Sequence, residues 1–310
     1  MIEKEININS HGNNLSGTIC LPSEEGRFPI VLMIHGSGPL DRDENMLVQK
    51  LDVFNTIAHS LAKQGLASLR YDKRGCGKSG GDFYKTGHFD LVNDAVTWFD
   101  FAKTYEHFDA NKIFLLGHSE GCIISPQVSF KRPEVTGLIL ICPFVDDIES
   151  ILIKQARHIE KEFNQMKGLG GWTRKVFARI MGLNVQGQQK LINKIKASNH
   201  DVMRVSFQKF PAKSFRELIS LNPPAIFKQV TQPMLIIGGE KDLQCDPADV
   251  QKIADLVNAL VESHVIKNLT HILRFDEREA TLLGSADLIH KPMEAIVPET
   301  IERWLLSQTK

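Results

Sequence analysis

The sequence predicts an α/β fold, a mostly parallel sheet covered on both faces by helices. Three observations carry that expectation. Short apolar runs of β-type residues recur along the 310 residues, each followed by a stretch of helical apolar spacing. The central runs are apolar throughout instead of alternating, the pattern of strands buried on both faces. The turns that leave several of them are glycine-rich, at the strand ends where open α/β sheets build their sites.

The elements follow in order. Ile2 to Ile8 and Leu15 to Leu21 alternate apolar with polar residues and read as an antiparallel pair at a sheet edge. Pro29 to Ile34 is a buried strand that runs into His35-Gly36-Ser37-Gly38-Pro39. A helix over Val53 to Gln64 is closed by Gly65, and Leu66 to Tyr71 is the next strand. From Phe89 to Tyr105, the residues Leu91, Ala95, Trp98, Phe99 and Ala102 fall on one helical face. Asp90 and Asp94 lie early in that helix, where its dipole favours negative charge. A strand begins at Lys112, a helix at Cys122, and Leu138 to Cys142 is another strand.

Regular alternation then breaks. Pro143 to about Val230 is helical in pattern, carries roughly twice as many Lys and Arg as Asp and Glu, and is interrupted by Gly168-Leu169-Gly170-Gly171. Its apolar positions Ile151, Leu152, Ile159, Phe163, Trp172 and Phe177 are candidates to line a pocket or to seat the segment on the sheet. Alternation resumes with a strand at Pro233 to Ile237, a helix at Pro247 to Val261, a strand at His264 to Ile266, and a last helix at Glu299 to Leu306 with Pro298 near its first turn. The expected division is a core of residues 1–144 and 231–310 and a helical cap insertion of residues 145–230.

Composition narrows the function. Lys plus Arg and Asp plus Glu both total 37, so the formal charge is zero and nothing points to nucleic acid. No apolar run reaches the length needed to span a bilayer. Met1 to Ile6 mixes charge with apolar residues and lacks the core of a secretion signal. The five cysteines are odd in number and show no C-x-x-C spacing, against a disulfide framework or a thiolate zinc site. A cytoplasmic protein without a metal is expected, its oligomeric state open. Gly75-Cys76-Gly77-Lys78-Ser79 imitates a phosphate loop, but Asp72 stands where the first glycine is needed and no helix follows directly.

The chemistry centres on Gly117-His118-Ser119-Glu120-Gly121. This is G-x-S-x-G between a strand and a helix, the context that lifts the serine hydroxyl to the sheet edge. A serine hydroxyl needs a base, and the base an orienting acid. Acid candidates follow the strand Pro233 to Ile237: Asp246 suits the helix start, Glu240 sits nearer the strand end, and Asp242 is free in the loop and preferred. Of eleven histidines, His271 follows the last strand and completes the order Ser, Asp, His. His264 is placed at that strand's beginning, His290 has no positional argument, and His118 points away from its neighbour Ser119. Oxyanion donors are expected at the backbone N–H of Glu120 and of Ser37.

Together these residues resemble the α/β-hydrolase superfamily, over nearly the whole chain. Asp41-Arg42-Asp43, Tyr71-Asp72-Lys73-Arg74-Gly75 and Pro126 are similar to a bacterial serine-esterase branch, often labelled lipolytic, dienelactone-hydrolase-like or acyl-peptidase-like. The resemblance implies an α/β-hydrolase fold with a cap and a cofactor-free carboxylesterase acting on a small-molecule ester. Ser119 would be the nucleophile, His271 the base and Asp242 the acid. A thioesterase or amide hydrolase with the same triad is the alternative, and a non-catalytic receptor a more distant one. Glu120 departs from the pattern, because its carboxylate beside an oxyanion needs a cation; Arg42 and Lys73 are the candidates.

Overall fold

Eight strands form one sheet in a computed structural model that describes residues 1–284 and 286–309, apart from the side chains of Leu169, Phe177, Arg179 and Ile180. The strands are β1 (Ile2–Ser10), β2 (Asn13–Leu21), β3 (Phe28–Ile34), β4 (Ala67–Tyr71), β5 (Phe108–His118), β6 (Gly137–Ile141), β9 (Met234–Gly239) and β10 (Val261–Ile266). Their order is β1-β2-β4-β3-β5-β6-β9-β10. The pairs β1–β2 and β2–β4 are antiparallel, and every later pair is parallel. The carboxyl ends of β3, β5, β9 and β10 therefore lie along one edge.

Both faces are covered because the strands are apolar on both. On one face, Val31, Met33, Leu116 and Ile139 pack against α1 (Val53–Lys63) and α10 (Ile296–Gln308), with Phe54 fully buried. On the other, Leu32, Leu115 and Leu138 meet α2 (His88–Thr104), α3 (Gly121–Lys131) and α9 (Asp249–Leu256), around a fully buried Trp98. Each such aromatic contributes about 1.5–3 kcal/mol of burial.

Between β6 and β9 come α4 (Ile148–Gln165), α5 (Gly168–Ile180), α6 (Val185–Ala197), the hairpin β7 (Met203–Val205) and β8 (Gln208–Phe210), α7 (Ala212–Ile219) and α8 (Pro223–Phe227). Ile195, Met203 and Ala212 form a small core of their own. Ile148, Ile151, Leu218 and Phe227 join the core over the sheet. Trp172 is 64% exposed and seats nothing, and the Phe177 side chain lies outside the described residues.

Three boundaries correct the sequence expectations. The helix expected to reach Val261 ends at Leu256, because Val261 pairs with Met234 in the sheet. His264 accordingly lies within β10, not at its beginning, and contacts Glu262 and Arg303. The hairpin falls inside a stretch read as helical. Ser206 and Phe207, at φ 48° and 69°, make its two-residue turn with both residues left-handed, a turn usually announced by Asn-Gly.

Candidate active site

Ser119 follows β5 directly, and its backbone is left-handed at φ 51°, a conformation that costs a non-glycine residue about 1–3 kcal/mol. The turn survives because its neighbours fix it. Ser119 N donates to Ile141 O at 3.0 Å, and Cys122 N returns to Ser119 O at 2.9 Å. A Cβ on Gly117 would stand 2.2 Å from Gly121 O, and one on Gly121 would stand 2.1 Å from Ile34 O. Both glycines of the motif are therefore sterically required.

Asp242 lies in the turn after β9. Its Oδ1 accepts from the amides of Gln244 at 2.8 Å and Cys245 at 2.9 Å, which leaves Oδ2 to accept from His271 Nδ1 at 2.7 Å. With the proton on Nδ1, His271 Nε2 is left as a base. His271, Ser119 and Ser37 face one cavity of about 500 Å³, walled also by Met46, Leu51, Ile272 and Leu282. Among the described residues Ser119 Oγ makes no hydrogen bond, to His271 or to any other group. Such bonds commonly tighten only around substrate.

The Ser37 and Glu120 amides donate to no other described residue, so both remain free for an incoming oxygen. The Glu120 carboxylate turns away from them. Burial pushes its pKa up, but the Lys73 ammonium at 3.8 Å, the His88 ring at 3.5 Å and the Ser37 hydroxyl outweigh burial and hold it at about 2. Lys73 is anchored in turn by donating to Gly36 O at 2.5 Å. Arg42, the other cation expected beside Glu120, is spent elsewhere. It makes a bidentate pair with Asp72, at 3.0 Å from Nε and 2.6 Å from Nη2. The loop that imitates a phosphate loop folds around the same carboxylate, with Lys78 N donating to Asp72 Oδ2. Glu240 instead accepts from Asn268 N, and Asp246 from Ala248 N just ahead of α9.

The sequence reading missed Glu44 and His118, which bond to each other at the cavity floor. The acidic run around Asp41 to Asp43 was the available signal for Glu44. For His118, direction relative to Ser119 says nothing about a partner 74 residues away in sequence.

The model of the family described as serine aminopeptidase, S33, matches residues 47–278. The chain belongs to this family. It is also similar to esterase EstD of Thermotoga maritima, 28% identical over 98% of this chain and 67% of that one. Est1E of Butyrivibrio proteoclasticus, solved with ferulic acid bound, superposes with a TM-score of 0.65 at 18% identity, over 98% of this chain and 99% of that one. The α/β hydrolase GrgF of a Penicillium species superposes with a TM-score of 0.62 at 16% identity, over 100% and 98%. The fold is the α/β-hydrolase fold, with the S33 sequence pattern laid over it.

Proposed function

We propose that this protein is a serine hydrolase that cleaves small or medium acyl esters through an acyl-enzyme. The observation that carries it is the oriented Asp242–His271 pair opening into the same cavity as the strained Ser119. His271 Nε2 takes the Ser119 proton as Oγ attacks the ester carbonyl, and Asp242 stabilises the imidazolium that forms. The free Ser37 and Glu120 amides receive the developing oxyanion. His271 returns the proton to the departing alcohol, and water, activated the same way, releases the acid and restores Ser119. Every step is carried by side chains and backbone of this chain. The similarity to EstD supports an ester over other acyl donors.

Residues 145–230 would form the cap over a core of residues 1–144 and 231–310, with the acyl group between the cavity's apolar wall and the Ser119 edge. Five free, buried cysteines suit a reducing compartment, so we place the protein in the cytoplasm. No helix of the described residues is long and apolar enough to cross a membrane.

Aminoacyl amides are the second reading, on the family's description. A thioester reading would draw on the basic segment, but Lys154, Lys196 and Lys213 are already paired with Asp146, Glu149 and Asp90. Comparing kcat/KM for short esters, acyl-CoAs and aminoacyl amides, with Ser119→Ala as control, tests the choice. Esters should lead; an amide preferred over every ester would overturn the proposal.

A further inference from the structure

We propose that Glu44 and His118 form a buried ion pair that positions both halves of the site, Glu44 holding the loop that carries Ser37 and His118 holding the backbone of His271. This rests on the serine-hydrolase reading above. Glu44 Oε1 accepts from Gly36 N at 2.7 Å, one residue before Ser37. Its Oε2 meets His118 Nδ1 at 2.6 Å. The other ring nitrogen, His118 Nε2, lies 3.1 Å from the carbonyl oxygen of His271. The His271 carbonyl only accepts, so Nε2 carries a proton; with Glu44 ionised, as its lowered pKa favours, Nδ1 carries one too and the ring is an imidazolium.

The surroundings agree. Burial alone would drive His118 toward neutrality, yet Glu44 and the His271 carbonyl raise its pKa; burial pushes Glu44 up, and His118 and the Gly36 amide bring it down. Glu44 and His118 are 2% and 5% exposed, so neither charge has water to fall back on. Glu44 is held left-handed at φ 62°, a conformation kept only where surroundings over-determine it. Its loop is pinned just before it by Arg42 to Asp72 and Asp43 to Arg70 at 2.5 Å, and just after it by Asn45 Nδ2 donating to Asp52 at 2.8 Å. The chain therefore runs Gly36–Glu44–His118–His271 and ties the oxyanion loop after β3 to the base loop after β10. The strand bearing Ser119 supplies its middle link, since His118 ends β5.

The test uses Glu44→Gln, which keeps an acceptor for Gly36 but removes the charge, and His118→Asn, which keeps a group near Glu44 but cannot reach His271. Kinetics on a short ester are expressed per active site, titrated with a fluorophosphonate, so that partial unfolding does not count as lost rate. Each variant should lower kcat about 10- to 100-fold with KM within about threefold, and the double variant should be no slower than the poorer single one. Unchanged kcat in either folded variant, or losses that multiply in the double, would overturn the proposal. If the variants do not fold, NMR of the wild-type chain decides: two protonated ring nitrogens on His118 at neutral pH support the pair, and a neutral ring removes it. Full activity in Ser119→Ala would instead overturn the serine-hydrolase reading, a separate outcome.

Discussion

The carboxyl edge of the sheet and the segment between β6 and β9 are built on different terms. At the edge, each loop is fixed by buried polar bonds: Asp242 by two amides and His271, Glu120 by Lys73, Glu44 by Gly36 and His118. In the segment, α6, the β7–β8 hairpin and α7 share a small apolar cluster of their own, and the charged pairs Lys154–Asp146 and Lys196–Glu149 are partly exposed. It is tied to the cavity wall through α4: Glu162 accepts from Thr281 Oγ1 at 2.5 Å and Leu282 N at 2.7 Å, and Gln155 donates to Gln244 O at 2.8 Å. The edge holds atoms where the proposed chemistry needs them; the segment, on the cap reading, would shape what reaches them. Substitutions at the edge should therefore change rate or stability strongly, and those in the segment should change substrate choice or little at all.

The largest effect belongs to Ser119→Ala, expected to lower ester kcat by about 10⁴- to 10⁶-fold with an unchanged circular dichroism spectrum. Asp242→Asn should follow, at about 10³- to 10⁴-fold, because the wrong tautomer of His271 would be stabilised; steady-state kinetics measure it. Lys73→Met should cost about 3–5 kcal/mol in denaturant unfolding by leaving Glu120 buried without its ammonium partner. That loss has a pH signature. The folded pKa of Glu120 lies below its ordinary 4.5, so its contribution is complete above pH 4.5 and fades as pH falls toward about 2. The gap between wild type and Lys73→Met should therefore narrow between pH 6 and pH 3; a constant gap would separate Lys73 from Glu120.

Smaller effects sharpen the contrast at the cavity wall and in the segment. Leu282→Trp would fill part of the cavity wall and should lower kcat/KM for a hexanoyl ester roughly tenfold more than for an acetyl ester. Equal losses would mean that the acyl group does not lie there. Trp172→Ala, on the exposed face of α5, should change unfolding free energy by less than about 0.5 kcal/mol.

What was legible in the sequence divides along the same line. Buried parallel strands announce themselves through unbroken apolar runs, and Gly117 and Gly121 mark a turn whose crowding follows from local geometry. The meeting of Asp242 with His271 was readable because loops that follow parallel strands share an edge. The choice between Arg42 and Lys73 was not, since both follow strands at that edge and only packing gives Arg42 to Asp72. Glu44 and His118 were hidden for the same reason. The β7–β8 hairpin escaped because its turn uses Ser206 and Phe207 in place of a glycine.

Intact-mass analysis after treatment with a fluorophosphonate reaches the centre of the account most directly. A single adduct per chain should form on Ser119, disappear in Ser119→Ala and form far more slowly in His271→Ala. A chain that takes no adduct, or takes it equally fast without His271, would contradict an activated serine at this edge.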